Sequence, residues 1–253
     1  MMEDKDLRNV YPISWITESN CFNEFIGRSL FTSQDDLLVA DFASGEYDRV
    51  PTFFTRELPK LVKPSSVLRK IVVYCIDIHA LRLDSLYDKL GEEGSLSQVR
   101  VVQAALETLD TSANMQSENL DYINNNPEIA NWLDDFLIGE KKFPPECFDI
   151  GILNNDVIGY MYEYYTEYSD AEKGLHKIRK LIRSNGLLIV TMPCLQYKID
   201  NISVLEQIGF TFLEGLDITI STGEQTSLEK KVRLDEMSKL GHYTFLLFSN
   251  AVS

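Results

Sequence analysis

Short apolar runs alternate with amphipathic segments along this chain. Such runs, bounded by polar or turn residues, are typical of strands that are buried on both faces of a sheet. They predict seven strands, at residues 37–42, 71–77, 99–103, 148–153, 187–191, 210–220 and 242–249. The intervening segments carry apolar residues at helical spacing. The pattern therefore predicts an α/β fold, with a largely parallel sheet covered by helices on both faces.

The helices are predicted between these strands, at residues 50–62, 81–90, 157–183 and 204–208, with a further partly helical segment at 227–240. Gly91 and Gly209 are expected to close two of them, because glycine readily adopts the left-handed conformation of a helix end. Pro59 is expected to end or kink the first. Residues 1–35 carry scattered aromatic side chains, which predicts an N-terminal helical segment packing onto a domain that spans 36–253.

An acidic insert, residues 107–140, interrupts the alternation between the third and fourth strands. It carries eight carboxylates and no Lys or Arg. Asn126-Pro127-Glu128 is typical of a helix start. The insert is too long for an ordinary connection in a compact domain. We interpret it as a lid or as a docking surface for a protein partner.

Charge and cysteine content narrow the choice of partners and of compartment. Lys and Arg total 24 against 39 Asp and Glu, a net charge of −15. This field disfavours nucleic acid and anionic membranes and favours a neutral or cationic small molecule or a basic protein segment. The four cysteines include no C-x-x-C pair, so no metal site or disulfide framework is predicted. With an opening unlike a leader peptide and no membrane-spanning run, the sequence predicts a cytoplasmic protein.

Candidate binding residues follow the first two strands. The first strand ends at Asp41-Phe42 and turns through Ala43-Ser44-Gly45, where small residues allow a ligand to approach the backbone closely. The second strand ends in Asp77, and an acid at that position in a nucleotide-binding sheet accepts the ribose hydroxyls. These features predict that an adenosine-containing cofactor binds at the carboxyl ends of the strands.

The order of these motifs resembles that of the class I S-adenosylmethionine-dependent methyltransferases. The resemblance rests on 39–45, Asp77, 148–156 and the helix-turn-strand unit 181–190, and it runs from about residue 36 to the C-terminus. It implies a three-layer, Rossmann-like sandwich around a mostly parallel seven-stranded sheet. The last strand would be antiparallel and inserted between the fifth and the sixth. The implied cofactor is S-adenosyl-L-methionine.

The resemblance assigns roles to particular residues. Asp77 would hold the ribose, while Ile78, Ala105 and Leu106 would contact the adenine. The full predicted cofactor set is Asp41, Ala43, Ser44, Gly45, Asp77, Ile78, Ala105, Leu106 and Asn154. Asp41 either orients the glycine turn or reaches the cofactor's amino group through water, and a purely structural role is nearly as well supported. Asn155 and Asp156 are the catalytic candidates, facing the methyl group, and a simple helix-capping role is equally supported.

Two departures from the family pattern keep other functions open. Tyr47 stands where a third glycine is usual, and Ala104, Ala105 and Leu106 replace the acid often found after the third strand. The leading hypothesis is a methyltransferase that acts on a nitrogen or oxygen nucleophile of a small molecule or protein. A non-catalytic scaffold on the same fold and an RNA methyltransferase with a basic partner subunit are the alternatives. Five tyrosines within residues 160–168 fit an amine-binding cage less well than a packed helix face.

Overall fold

The fold is taken from a computed structural model that describes residues 12–30, 35–62, 69–109, 125, 143–165, 168–193, 199–228 and 240–251. Most of the acidic insert, the helix start at Asn126, the segment at 229–239 and Cys194 lie outside the described residues. The predictions made for them therefore remain predictions.

One sheet of eight strands organises the described part of the chain, in the order β3-β2-β1-β4-β5-β8-β6-β7. The strands β1 to β5 are parallel to one another. β8 is antiparallel to both of its neighbours, β5 and β6. The predicted insertion of the last strand between the fifth and sixth is therefore confirmed. The strands are β1 Leu37–Phe42, β2 Ile71–Asp77, β3 Val99–Gln103, β4 Phe148–Leu153, β5 Ile182–Met192, β6 Thr211–Thr219, β7 Glu224–Leu228 and β8 His242–Ser249.

The prediction of seven strands was one too few. β7 forms an antiparallel hairpin with β6 at the edge of the sheet, and its residues, Glu-Gln-Thr-Ser-Leu, are almost entirely exposed. Because an edge strand with no buried face carries no alternation of apolar and polar residues, the sequence pattern gave no signal for it.

The helices in the described part are α1 Asn20–Ser29, α2 over Arg49–Thr52, Phe53–Glu57 and Leu58–Leu61, α3 Ala80–Glu93, α4 Val157–Tyr164, α5 Tyr168–Leu181 and α6 Asn201–Ile208. The middle section of α2, Phe53–Glu57, is a π-helical turn. It directly precedes the section containing Pro59, and a wider turn accommodates the proline ring and its missing N–H donor. The helix therefore continues beyond Pro59 to Leu61.

Several helix boundaries differ from prediction, and α6 begins at Asn201 rather than at 204. The single helix predicted over 157–183 is two helices, because Tyr165 leaves the helical conformation with ψ near 135°. β5 then begins at Ile182, and Asn185 adopts a positive φ of 63° where the register with β4 shifts. α3 ends at Gly94 rather than Gly91, since Gly94 has φ 72° and donates its N–H to the carbonyls of Leu90 and Gly91.

Apolar layers cover both faces of the sheet. On one face, α4, α5 and α6 pack through side chains such as Ile158, Leu175 and Leu205. On the other, α1, α2 and α3 pack together with the 3₁₀ helix Pro12–Glu18. Ser19 caps α1 and donates a hydrogen bond of 2.6 Å to Glu214 of β6, so the described part of the N-terminal segment is attached to the sheet.

Candidate cofactor site

A cavity of about 480 Å³ opens at the carboxyl ends of β1, β2, β3 and β4. Its walls are the loops after these four strands, together with α4 and the first turns of α3 and α5. The predicted residues that line it are Ala43, Ser44, Gly45, Asp77, Ile78, Ala105, Leu106, Asn154 and Asn155. The fold thus brings nine of the eleven predicted site residues to one cavity.

The glycine turn and Asp77 are directly bonded. The Gly45 N–H donates to Asp77 Oδ2 over 2.9 Å, and the His79 N–H donates to Asp77 Oδ1, also over 2.9 Å. Gly45 has φ 62°, and Ala43 before it has φ 59°. Because a carboxylate oxygen can accept more than one hydrogen bond, Asp77 retains acceptor capacity for a ligand. The two backbone bonds hold its carboxylate at the cavity wall.

Two predicted residues, Asp41 and Asp156, are buried and do not line the cavity. Asp41 Oδ1 has no hydrogen-bond partner in the described structure, and burial, aided by the charge of Asp77, raises the Asp41 pKa well above its usual value. Asp156 precedes α4 with φ 59° and makes no side-chain cap bond to it. Asp156 thus stands at the N-cap position of α4 and accepts the Tyr160 N–H through its backbone carbonyl, while its side chain does not line the cavity.

Ser44 offers an unused hydroxyl. The residue is only 5% exposed, lines the cavity, and its Oγ has no hydrogen-bond partner among the described residues. A buried hydroxyl without a partner is costly unless a ligand or water satisfies it. The Ser44 hydroxyl is therefore placed to form a hydrogen bond with a ligand bound in the cavity.

Tyr47, the departure from the glycine pattern, stands at the rim of the cavity. Its side chain is 53% exposed, and its Cδ2 lies 3.6 Å from where a Cβ on Gly45 would be. The ring therefore lies beside the turn and leaves the 480 Å³ cavity open.

Three of the five clustered tyrosines, Tyr160, Tyr164 and Tyr165, line the cavity. The rings of Tyr160 and Tyr164 lie 4.5 Å apart between centroids. Tyr165 donates a hydrogen bond of 3.1 Å to Glu107 Oε2, and burial together with the charge of Glu107 raises the Tyr165 pKa. α4 and Tyr165, which directly follows it, thus place three aromatic side chains along the cavity.

Glu107 is a cavity residue that the sequence reasoning missed. The acid expected immediately after β3 is absent, but the 3₁₀ helix Leu106–Thr108 places the Glu107 carboxylate on the cavity wall. Its position next to Ala105 and Leu106 in the sequence was the available signal. The bond from Tyr165, which is 58 residues away in the chain, could not be read from local patterns.

Thr191 and Tyr243 were also missed. Thr191 is the penultimate residue of β5 and Tyr243 the second residue of β8, and the hydroxyls of both contact Asn154 Oδ1, at 2.6 and 3.0 Å. Both residues are buried behind the cavity wall. Burial raises the pKa of Tyr243 to about 12, so its phenol remains protonated near neutral pH.

The described residues contain no cluster of three or more His, Cys, Asp or Glu side chains that would hold a metal ion. Within the same ranges, no helix has the length and apolar character required to cross a membrane.

Comparison with known proteins places this geometry in a structural class. No protein-family model and no curated protein matches the sequence. Among solved structures, a protein assigned as a sarcosine dimethylglycine methyltransferase from Galdieria sulphuraria is similar, with a TM-score of 0.53 and 9% identity over 94% of this chain and 84% of that one.

Two further structures are similar at lower scores. A SAM-dependent methyltransferase from Aquifex aeolicus gives a TM-score of 0.48 and 12% identity, covering 91% of this chain and 88% of that one. An rRNA methylase from Streptococcus thermophilus gives a TM-score of 0.45 and 13% identity, covering 92% of this chain and 95% of that one. Together with the observed strand order, the comparison at TM-score 0.53 shows the fold. The chain has the Rossmann-like fold of the class I S-adenosylmethionine-dependent methyltransferases.

Proposed function

We propose that this protein is an S-adenosylmethionine-dependent methyltransferase acting on a nitrogen or oxygen nucleophile of a small molecule or protein. The observation that carries the proposal is the direct bond between Gly45 and Asp77 at the wall of a 480 Å³ cavity. It brings the small-residue turn and the acid at the end of β2 into one binding surface, at the sheet edge where such folds bind nucleosides.

The cavity residues divide according to the parts of the cofactor. Asp77 accepts the ribose hydroxyls, and each hydrogen bond to a charged acceptor contributes about 1.5–3 kcal/mol. Ile78, Ala105 and Leu106 provide apolar contacts for the adenine. Glu107, held by Tyr165, is placed to accept a hydrogen bond from the adenine amino group.

The sulfonium end of the cofactor then lies toward Tyr47, Asn154 and Asn155, on the β1 and β4 side. Methyl transfer from a sulfonium requires in-line alignment and exclusion of water rather than a strong base. Asn155 is exposed at this end of the cavity and is the residue we assign to aligning the acceptor. Asp156, the next residue, is buried and does not line the cavity.

A scaffold protein without activity is the second candidate, and Tyr47 is the observation that favours it. Two experiments distinguish the enzyme from the scaffold. The first is calorimetric titration with S-adenosylmethionine and S-adenosylhomocysteine. The second measures transfer of a labelled methyl group to amines, hydroxylated small molecules and basic peptides. Binding with transfer supports the enzyme. Binding without transfer to any acceptor favours the scaffold, and no heat of binding with either compound contradicts both the enzyme and the cofactor assignment.

A further inference from the structure

Four short polar contacts, served by three protons, join the ends of β4, β5 and β8. Thr191 Oγ lies 2.6 Å from Asn154 Oδ1 and accepts from the Asn155 backbone N–H over 3.0 Å. The Tyr243 hydroxyl lies 3.0 Å from both Asn154 Oδ1 and Thr191 Oγ. Thr191 and Tyr243 are 0% and 4% exposed, whereas Asn154 reaches the cavity wall.

A count of protons fixes the orientation of the Asn154 amide. The Asn155 backbone N–H can only donate, so Thr191 Oγ accepts that bond and retains its own proton for another partner. With the Asn154 carbonyl oxygen facing Thr191 and Tyr243, both hydroxyl protons find acceptors. If the amide were turned around, its NH₂ could only donate, and Thr191 and Tyr243 would have only each other's oxygen to donate to, so one of the two buried hydroxyl protons would have no acceptor in this group.

The Asn154 carbonyl oxygen is thus occupied by two hydroxyls, and its two amide N–H groups remain for the cavity. None of the hydrogen bonds between described residues uses the Asn154 amide nitrogen. A wall that presents N–H donors binds an oxygen acceptor and repels an amino group. The orientation of the Asn154 amide is therefore determined by Thr191 on β5 and Tyr243 on β8, which lie outside the loop that carries Asn154.

We propose that Asn154 binds the carboxylate of the methionine part of S-adenosylmethionine, and that Thr191 and Tyr243 are positioning residues that aim its amide. This inference rests on the proposed function. With the ribose on Asp77 at the end of β2, the cofactor tail extends past Gly45 toward β4. The two strands are separated by β1, so their ends are about 10 Å apart.

Ser44 provides independent support for a carboxylate at this place. Its buried Oγ, without a partner in the described structure, belongs to the β1 turn that the tail must pass. Among the described residues that line the cavity, Arg82 is the one Lys or Arg side chain, and it follows β2 instead. The carboxylate would therefore be held by neutral donors on the β1 and β4 side.

The test compares S-adenosylmethionine with its decarboxylated form, which keeps the adenosine, the sulfonium and the amine and lacks only the carboxylate. Calorimetric dissociation constants are measured for the wild type and for Tyr243→Phe, Thr191→Val and Asn154→Asp. Tyr243→Phe keeps the buried ring, and Thr191→Val keeps the side-chain shape. Thr226→Val, on the exposed strand β7, is the control for loss of a hydroxyl.

The wild type is expected to prefer the carboxylated ligand by about tenfold or more, the effect of one or two hydrogen bonds to a charged group. Tyr243→Phe and Thr191→Val should reduce that preference several-fold while leaving the decarboxylated ligand within about twofold of its wild-type affinity. Asn154→Asp, which replaces the donors by a carboxylate, should abolish or reverse the preference. Thr226→Val should change neither constant.

Equal weakening of both ligands by these variants would show a purely structural role and overturn the inference. An unchanged preference would overturn it as well. Both results leave the proposed function standing, because the wild type still binds the cofactor. A wild type that binds neither ligand overturns the proposed function and this inference together.

Discussion

The Gly45 backbone N–H donates a hydrogen bond of 2.9 Å to Oδ2 of Asp77, joining residues 32 positions apart in the chain. The bond is buried, and Asp77 is only 5% exposed. One carboxylate therefore stabilises the turn after β1 and, in the function that we propose, accepts the ribose. The turn and the acid act as a single structural unit.

Replacing Asp77 by Asn tests the ribose contact. Asn keeps the shape and one acceptor oxygen but removes the charge, so we expect cofactor affinity to fall by about tenfold to a hundredfold, as expected for loss of a charge-assisted hydrogen bond. The measurement is calorimetric titration with S-adenosylhomocysteine. Asp88→Asn, exposed on α3 and away from the cavity, is the matched control. Equal affinities for wild type and Asp77→Asn would contradict the assigned role.

Gly45→Ala tests the turn itself. The φ of 62° at Gly45 is unfavourable for a residue with a Cβ, at a cost of about 1–2 kcal/mol. The added Cβ meets Tyr47 only at 3.6 Å, so backbone strain rather than a clash causes the loss. Chemical denaturation should show this decrease in the free energy of unfolding. The control, Gly27→Ala in α1, has no neighbour within 4 Å and should stabilise by about 0.5–1 kcal/mol.

Asp41 gives the protein a pH dependence of known sign. Because burial raises its pKa in the folded state above the usual 3.8, the folded protein holds the Asp41 proton more tightly than the unfolded chain. The resulting stability is fully present below about pH 4 and is lost as pH rises through the raised pKa. Asp41→Asn should remove this part of the pH dependence and gain stability relative to wild type as pH rises.

Thermal unfolding of the wild type and Asp41→Asn from pH 4 to 8 measures this difference. Asp88→Asn, an exposed carboxylate, should follow the wild-type curve. A difference between Asp41→Asn and wild type that does not change with pH would contradict the assignment.

Arg69 links several chain segments at the amino-terminal edge of the sheet. Its guanidinium donates to the carbonyl oxygens of Ser29, Asp35 and Asp36 and lies 3.5 Å from Asp149 Oδ2, with its side chain 4% exposed. Arg69→Met leaves these carbonyls and part of a buried ion pair without a partner. We expect a loss of about 3 kcal/mol in the free energy of unfolding.

Because this cluster lies at the opposite edge of the sheet from the cavity, cofactor affinity under native conditions should be unchanged in Arg69→Met. Arg56→Met, which removes a half-exposed pair with Glu93, should cost less than about 1 kcal/mol. A small effect at Arg69 comparable to that at Arg56 would show that the buried cluster contributes little.

Much of the fold could be predicted from the sequence. β1, β2, β3, β4 and β8 begin and end where the apolar runs predicted, because strands buried on both faces require continuous apolar residues. Gly45, in the turn after β1, and Asp77, the last residue of β2, were also identified from the sequence. The predictions failed for an element without a buried face, the exposed strand β7. They also failed for two boundaries that depend on the conformation of a few residues, the break between α4 and α5 and the end of α3 at Gly94.

The sequence by itself determined the class of fold and the small-residue and acidic ends of its first strands, because both follow from local composition and hydrophobic period. Only the tertiary structure decided that Asp41 and Asp156 are buried away from the cavity and that Glu107 belongs to it. It also decided that Tyr243, 89 residues from Asn154 in the chain, contacts that amide. Hydrogen bonds between distant residues depend on strand order and side-chain direction, and no local pattern encodes them.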